Sequence, residues 1–214
     1  MGKALAYERV IIFGGQISEI SSEVLNIITK NDFIICADKG YEFALKNKIT
    51  PNIIVGDFDS APYPDNVNCE IVKLPTVKDD TDLNYAVKLA KDKGFKSFVL
   101  TGVTGGRLDQ TYATIFTMNF ILKSGAQVTV IDNNVKLYIT NDNLTIPMPR
   151  YDCHLSVFPI GEMAEGVDIS GAKYTLNNAT LTNDFPLGVS NEFSDNAVTV
   201  NVKSGTLLIM VVKK

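Results

Sequence analysis

With 214 residues, 45% of them hydrophobic and 21% charged, the chain is long enough for one large domain or two small ones and too apolar to be disordered. Its net charge of -4 excludes a general nucleic-acid binder and a polybasic membrane surface. One histidine, His154, and three cysteines, Cys36, Cys69 and Cys153, without C-x-x-C spacing argue against a Ser-His-Asp machine, a His-rich zinc site and a disulfide framework. Glu8 and Arg9 interrupt the start before any apolar core of a signal peptide, and the longest apolar run, 207–212, is far short of a membrane span. A reduced, cytoplasmic location is expected.

Residues 10–13 form a short apolar run ending at Gly14-Gly15, and Ser18 or Ser21 can cap a helix carrying Val24, Leu25, Ile27 and Ile28. Strands follow at 33–37 and 53–55, with a helical stretch around Tyr41, Ala44 and Leu45 between them. Asp80 or Thr81 caps the next helix, which Gly94 stops; 97–101 is again strand, 107–124 a long helix ended by Gly125, and 128–132 a last strand. Apolar strands alternating with helices predict an α/β unit over residues 1–140, a mainly parallel sheet with helices on both faces. From 141 to 214 the period changes to short alternating runs, among them LTIPM, CHLSVFPI, GVDIS, YTL, ATLT, GVSNEF, AVTVNV and TLLIMVV. Turns are expected between them, Asn177-Asn178 included, and the expected fold is a small antiparallel β-sandwich.

In an open parallel sheet, ligands bind outside the carboxyl ends of the strands. Four polar clusters fall at such ends: 36–40, 56–60, 78–82 and 101–110. Asp57 and Asp59 stand two apart, so in an extended loop both carboxylates face the same way and suit Mg2+, whose shell water and substrate phosphates complete. The alternative is an Asx-turn with solvated acids. Asp82, opening a helix, also suits the helix dipole alone. The segment TGGRLDQ opens a helix after a glycine-rich turn, where free amides and Arg107, one of three arginines, can hold phosphate. Asp109 can orient Arg107 or meet a ligand amine or hydroxyl. The segment is neither a G-K-[ST] loop nor a G-x-G-x-x-G fingerprint, and a Gly-Gly pair equally suits a tight turn. His154 reads as structural or surface, and Ser190-Asn191 by themselves read as turn chemistry.

Taken together, GDFDS at 56–60, DDTDL at 79–83, TGGRLDQ at 104–110 and VSNEF at 189–193, in an α/β region followed by a small β-sandwich, resemble the thiamine pyrophosphokinase family over essentially the whole chain. The resemblance implies transfer of pyrophosphate from ATP to the hydroxyethyl group of thiamine, giving thiamine diphosphate and AMP. It implies Asp57, Asp59 and Asp82 as holders of Mg2+ and, with Arg107, as the catalytic set. ATP would meet Asp38, Lys78, Thr81, Gly105, Gly106 and Arg107. Asp109 and Gln110 would face the acceptor, with Tyr174 or Phe193 stacking on thiamine. Ser190 and Asn191 would reach ATP or thiamine from the β-domain of a partner subunit, in a homodimer with composite sites. Lys39 departs from the family's Ala-Asp-Gly-Gly pattern, which bears on the local backbone approach.

The reaction asks for positioning and charge neutralisation rather than histidine, and an Asp can accept the hydroxyl proton, with Asp57, Asp59 and Asp82 all eligible. Thiamine's permanent cation suits a carboxylate-rich, aromatic-edged pocket. A haloacid dehalogenase-like phosphatase would carry its D-x-D on the first strand rather than the third and leaves the β-rich tail unused. A non-catalytic sensor could dispense with the metal-binding acids, while a diphosphokinase for another alcohol would differ in pocket shape rather than in motifs.

Overall fold

The apolar runs become strands buried on both faces. The structure, a computed structural model, describes residues 7–16, 22–59, 63–64, 67–75 and 79–214. By contacts the chain divides into two units, Met1–Asn133 and Asn134–Lys214.

In the first unit the elements run β1 (Arg9–Phe13), α1 (Ser22–Ile27), β2 (Asp32–Ala37), α2 (Gly40–Lys46), β3 (Ile53–Gly56), β4 (Glu70–Lys73), α3 (Asp82–Asp92), β5 (Ser97–Thr101), α4 (Leu108–Lys123) and β6 (Gln127–Ile131). The strands lie in the order β4-β3-β2-β1-β5-β6, and every pair is parallel. Alternate side chains of β1, β2, β3 and β5 (Ile11, Phe13, Ile34, Cys36, Ile54 and Val99) pack with Val24 of α1 and Tyr41 and Ala44 of α2. The opposite pleat buries Val10, Ile12, Ile35 and Leu100, and α3 and α4 bury Ala86, Val87, Ala90, Met118 and Ile121. Burial on both faces explains why these strands read as continuous apolar runs rather than as alternation.

Local chemistry sets the helix ends. Thr81 caps α3, its hydroxyl accepting from the Asn84 amide at 3.1 Å. Asp80, the other expected cap, instead accepts from the Asn84 side chain at 2.6 Å and pairs with Lys88. Gly94 ends α3 at φ +93°, with Phe95 donating back to Ala90 O at 3.2 Å. The expected caps of α1, Ser18 and Ser21, lie outside the described residues.

The second unit is all strand: β7 (Val135–Thr140), β8 (Asn143–Pro147), β9 (Cys153–Pro159), β10 (Met163–Ser170), β11 (Leu176–Thr182), β12 (Ala197–Asn201) and β13 (Leu207–Lys213). Antiparallel β7-β13-β9 and antiparallel β11-β10-β12-β8 share one core built from Leu155, Val157, Val167, Ile169, Val198, Val200, Leu207, Ile209 and Val211. Two expectations fail here. Asn177-Asn178 is not a turn: β11 runs through it, and Asn178 takes φ +47° where the register with β10 shifts, as a bulge requires. GVSNEF is not a strand; it makes only isolated bridges, Leu155 with Asn191 and Ala172 with Phe193, and Ser190 sits at φ +57°. Among the described residues no helix is long and apolar enough to cross a membrane.

Candidate active site

The strand order reverses at β1, because β2, β3 and β4 extend to one side and β5 and β6 to the other. At such a switch point the loops leaving adjacent strands diverge and open a crevice at their carboxyl ends. A cleft of about 260 Å3 lies there. Its wall is supplied by Gly14, Gly15 and Gln16 after β1, Ala37 at the end of β2 with Asp38 behind it, Asp57 after β3, Thr81, Asp82 and Leu83 at the head of α3, Gly102 and Val103 after β5, Arg107 just before α4, and Gln110 and Thr114 from its first two turns.

Strained backbone shapes this wall. Asp38 takes φ +49° and Phe58 φ +59°, left-handed values that are uncommon for a side chain other than glycine and cluster at functional sites. Phe58 therefore interrupts the extended run assumed from sequence. Asp57 and Asp59 are joined instead by a local turn in which the Asp59 amide donates to Asp57 Oδ1 at 3.3 Å. Asp57 lines the cleft, while Asp59 is exposed and is not on its wall. Lys39 leaves the close backbone approach intact, because Gly40 carries it: a Cβ at Gly40 would stand 2.1 Å from Phe13 O.

At the head of α4, Arg107 and Asp109 form a two-pronged pair, Nε to Oδ1 at 3.1 Å and Nη2 to Oδ2 at 2.5 Å. The hydrogen bonds from Arg107 hold the Asp109 carboxyl below its usual range, and the same bonds raise Arg107 further. The Arg107 backbone N–H donates to Gln16 Oε1 at 3.3 Å, so the helix entry is tied to the β1 loop. A Cβ at Gly106 would lie 2.7 Å from Gln16 O, so Gly106 is required by that approach. The amides of Gly102, Val103 and Thr104 point inward to a buried carboxylate, Asp132, and are not offered to a ligand. The free amides expected of this turn are thus fewer than its glycines imply.

Of the residues singled out by sequence, Asp38, Asp57, Thr81, Asp82, Arg107 and Gln110 meet on the cleft. Gly105, Gly106 and Asp109 stand beside it in chain order but are not on its wall. Lys78 lies outside the described residues. Gln16, Gly14, Gly15 and Thr114 were missed, although a polar residue directly after a Gly-Gly strand end was a usable signal for Gln16.

Tyr174, Ser190, Asn191 and Phe193 belong to the second unit. Asn191 is 5% exposed and its side chain is engaged at home. Its Oδ1 accepts from the amides of Tyr174 and Glu192, both at 2.9 Å, and its Nδ2 donates to Tyr174 O at 2.7 Å. This clamp presents Tyr174, a residue 61% exposed, whereas Phe193 packs partly against the sandwich core. Ser190 is exposed.

The donor set of the cleft is hard oxygen from Asp38, Asp57 and Asp82, with one guanidinium. That chemistry fits Mg2+, which takes one or two carboxylates and leaves its other positions to phosphate and water. Among the described residues no group of three or more His, Cys, Asp or Glu side chains is gathered closely enough to hold a metal ion by itself.

Two family models match the chain: the catalytic domain of thiamin pyrophosphokinase over residues 24–130, and its vitamin B1 binding domain over residues 143–207. The chain belongs to the thiamin pyrophosphokinase family. It is 27% identical over 183 residues to the thiamine pyrophosphokinase of Bacillus subtilis, covering 82% of this chain and 85% of that protein. Thiamine pyrophosphokinase 3 of Oryza sativa is 22% identical over 191 residues, 78% of this chain and 68% of that protein. In fold the chain is similar to the crystal structure of the Bacillus subtilis thiamine pyrophosphokinase, with a TM-score of 0.87 at 23% identity over 96% of this chain and 99% of that one. The yeast thiamin pyrophosphokinase structure gives 0.76 at 17% identity, covering 99% and 88%. The activity is accordingly that of a thiamine diphosphokinase, ATP-dependent transfer of pyrophosphate to the hydroxyl of thiamine. A thiamin pyrophosphokinase also explains what a dehalogenase-like phosphatase does not, an acidic D-x-D after the third strand followed by a β-sandwich.

Proposed function

We propose that ATP lies across the carboxyl ends of β1 and β5 with its phosphates between Arg107 and the acids of the cleft. One observation carries this reading: Asp38, Asp57, Thr81, Asp82, Arg107 and Gln110, drawn from four separate motifs, line one crevice at the switch point. Asp57 and Asp82, with Asp59 from the adjoining turn, would hold Mg2+, which when bound neutralises phosphate charge and leaves the β-phosphorus open to attack. Arg107, oriented by Asp109 through Nε and Nη2, holds phosphate oxygens with its remaining N–H groups on Nη1 and Nη2. Lys78, Thr81, Gly105 and Gly106 complete the nucleotide contacts.

The thiamine hydroxyl oxygen forms a bond to the β-phosphorus as the bond from that phosphorus to the bridging oxygen of AMP breaks, and the hydroxyl proton passes to a cleft carboxylate. Asp109 and Gln110 face the acceptor. Tyr174 or Phe193 covers the thiazolium from the second unit of a partner copy, with Ser190 beside it and Asn191 acting by holding the Tyr174 segment in place.

A homodimer is supported by the surface of α4. Leu108, Tyr112 and Phe116, four residues apart, and Phe120 beyond them form an exposed apolar stripe along the helix. In the second unit Phe185, Leu187 and Val189 are exposed on the segment that carries Ser190. Three free thiols, Cys36, Cys69 and Cys153, support work in the reducing cytoplasm.

The test is Mg2+ titration of turnover in Asp57→Asn, Asp59→Asn and Asp82→Asn. Loss of turnover of about 100-fold or more in a folded variant, of the size seen when a preorganised charge partner is removed, is the expected result. Full activity of any one variant removes that residue from the metal site.

A further inference from the structure

The turn that leads from β5 into α4 is held from within by one carboxylate. Asp132, the residue after β6, is 6% exposed and receives five hydrogen bonds from residues 101–104. Its Oδ1 accepts from the Gly102 amide at 2.6 Å and the Thr101 hydroxyl at 3.2 Å. Its Oδ2 accepts from the Val103 amide at 3.2 Å, the Thr104 amide at 2.9 Å and the Thr104 hydroxyl at 2.7 Å. We propose that Asp132 is a positioning residue for pyrophosphoryl transfer that acts through Arg107.

Three successive backbone amides aimed at one point make an anion-binding nest, and here the chain supplies the anion itself. A buried carboxylate is tolerated only when its acceptor positions are filled, so the turn is obliged to keep the shape that fills them. Thr104 is thereby fixed, and the chain reaches Arg107 three residues later. The far end is tied back to the same turn through the β1 loop: the Arg107 amide donates to Gln16 Oε1, and Gln16 N donates to Gly102 O at 2.8 Å. A guanidinium on a backbone pinned at both ends needs no reorganisation when phosphate charge develops. Arg107 and Asp132 are therefore coupled through the turn although no side-chain contact joins them among the hydrogen bonds described.

The proposal rests on Arg107 as a phosphate ligand, and a double-mutant cycle separates the two ideas. Asp132→Asn keeps the side-chain shape but replaces one acceptor with an N–H2 group facing donors. We expect it to lower kcat roughly 10- to 100-fold, the scale of a misplacement near 1 Å, with the KM for thiamine within about twofold of wild type. In an Arg107→Ala background the same substitution should cost less than about threefold, because groups that act as a unit are not additive. Thr104→Val, isosteric and lacking one donor, should show the same pattern at smaller size, and it carries the cycle if Asp132→Asn does not fold. Additive losses in the cycle overturn the positioning role while leaving Arg107 in place. Unchanged turnover of Arg107→Ala alone overturns the reading of Arg107, and Asp132 acting through it falls with it.

Discussion

Arg107 and Asp109 lie on the surface at the mouth of the cleft, so their pairing is screened by water and adds little to stability. In the proposed function its value is orientation. Removing the guanidinium by Arg107→Ala is expected to lower kcat by about 100- to 1,000-fold, as for loss of one preorganised donor to transition-state charge. Arg107→Lys is not expected to restore it, since an ammonium cannot reproduce the planar fork. Steady-state kinetics with saturating ATP decides this, and a lysine variant at wild-type rate would reduce Arg107 to a point charge. Asp32 is the contrasting case, a buried acid whose role is structural. Burial raises its pKa, but hydrogen bonds from Arg9 and the Thr29 amide, with Arg9's charge, outweigh that and leave it lowered. A lowered pKa in the folded state means the stabilisation is fully present above the ordinary carboxylate value near 3.8 and is lost as pH falls through the folded value. Asp32→Asn is expected to cost about 2–3 kcal/mol at pH 7, below the usual range for a broken buried pair because Arg9 is partly exposed. Urea unfolding at pH 7 and pH 3 should show that gap narrowing in acid; a gap independent of pH would contradict the ion-pair account.

At the scale of elements, the α/β alternation was legible because strands covered on both faces are continuously apolar and helices carry caps and glycine stops. The same rule hid β4. Its sequence, EIVK, is half charged and it lies at the sheet edge, where charge guards unpaired backbone. Asn177-Asn178 looked like a turn because asparagine tolerates left-handed backbone, and a bulge inside a strand uses that same tolerance. The cleft was legible since its acids sit at strand ends, but its internal braces were not. Gln16 and Asp132 act on residues 91 and about 30 positions away in the chain, and no local pattern marks them. Nor did the D-x-D spacing disclose that Phe58 would turn left-handed between its two acids. The packing of α2 rests on one such close approach. Gly40→Ala would drive a Cβ to 2.1 Å from Phe13 O, a backbone atom that cannot rotate aside. A loss of at least about 2 kcal/mol in unfolding free energy is expected, in the range of overpacking and backbone strain. Wild-type stability would mean that α2 moves freely on the sheet.

For the whole molecule, the cleft belongs to the first unit while Tyr174, Ser190 and Phe193 belong to the second. If a partner copy supplies the latter, Asp59→Asn subunits mixed with Ser190→Ala, Asn191→Ala subunits regain activity, because one of the two sites in each heterodimer is intact. The expected recovery is about a quarter of the wild-type rate, from random pairing with one active site in each mixed dimer. No recovery would favour sites built within single chains. Phe116→Glu on the exposed stripe of α4 should give a monomer on size exclusion and lose turnover with it, whereas a dimer of unchanged size would place the interface elsewhere. The central claim, attack of thiamine on the β-phosphorus of ATP, is tested most directly by product identity. The purified protein with ATP, Mg2+ and thiamine should yield thiamine diphosphate and AMP in equal amounts by mass spectrometry. Thiamine monophosphate with ADP, or no thiamine-dependent product, would contradict it.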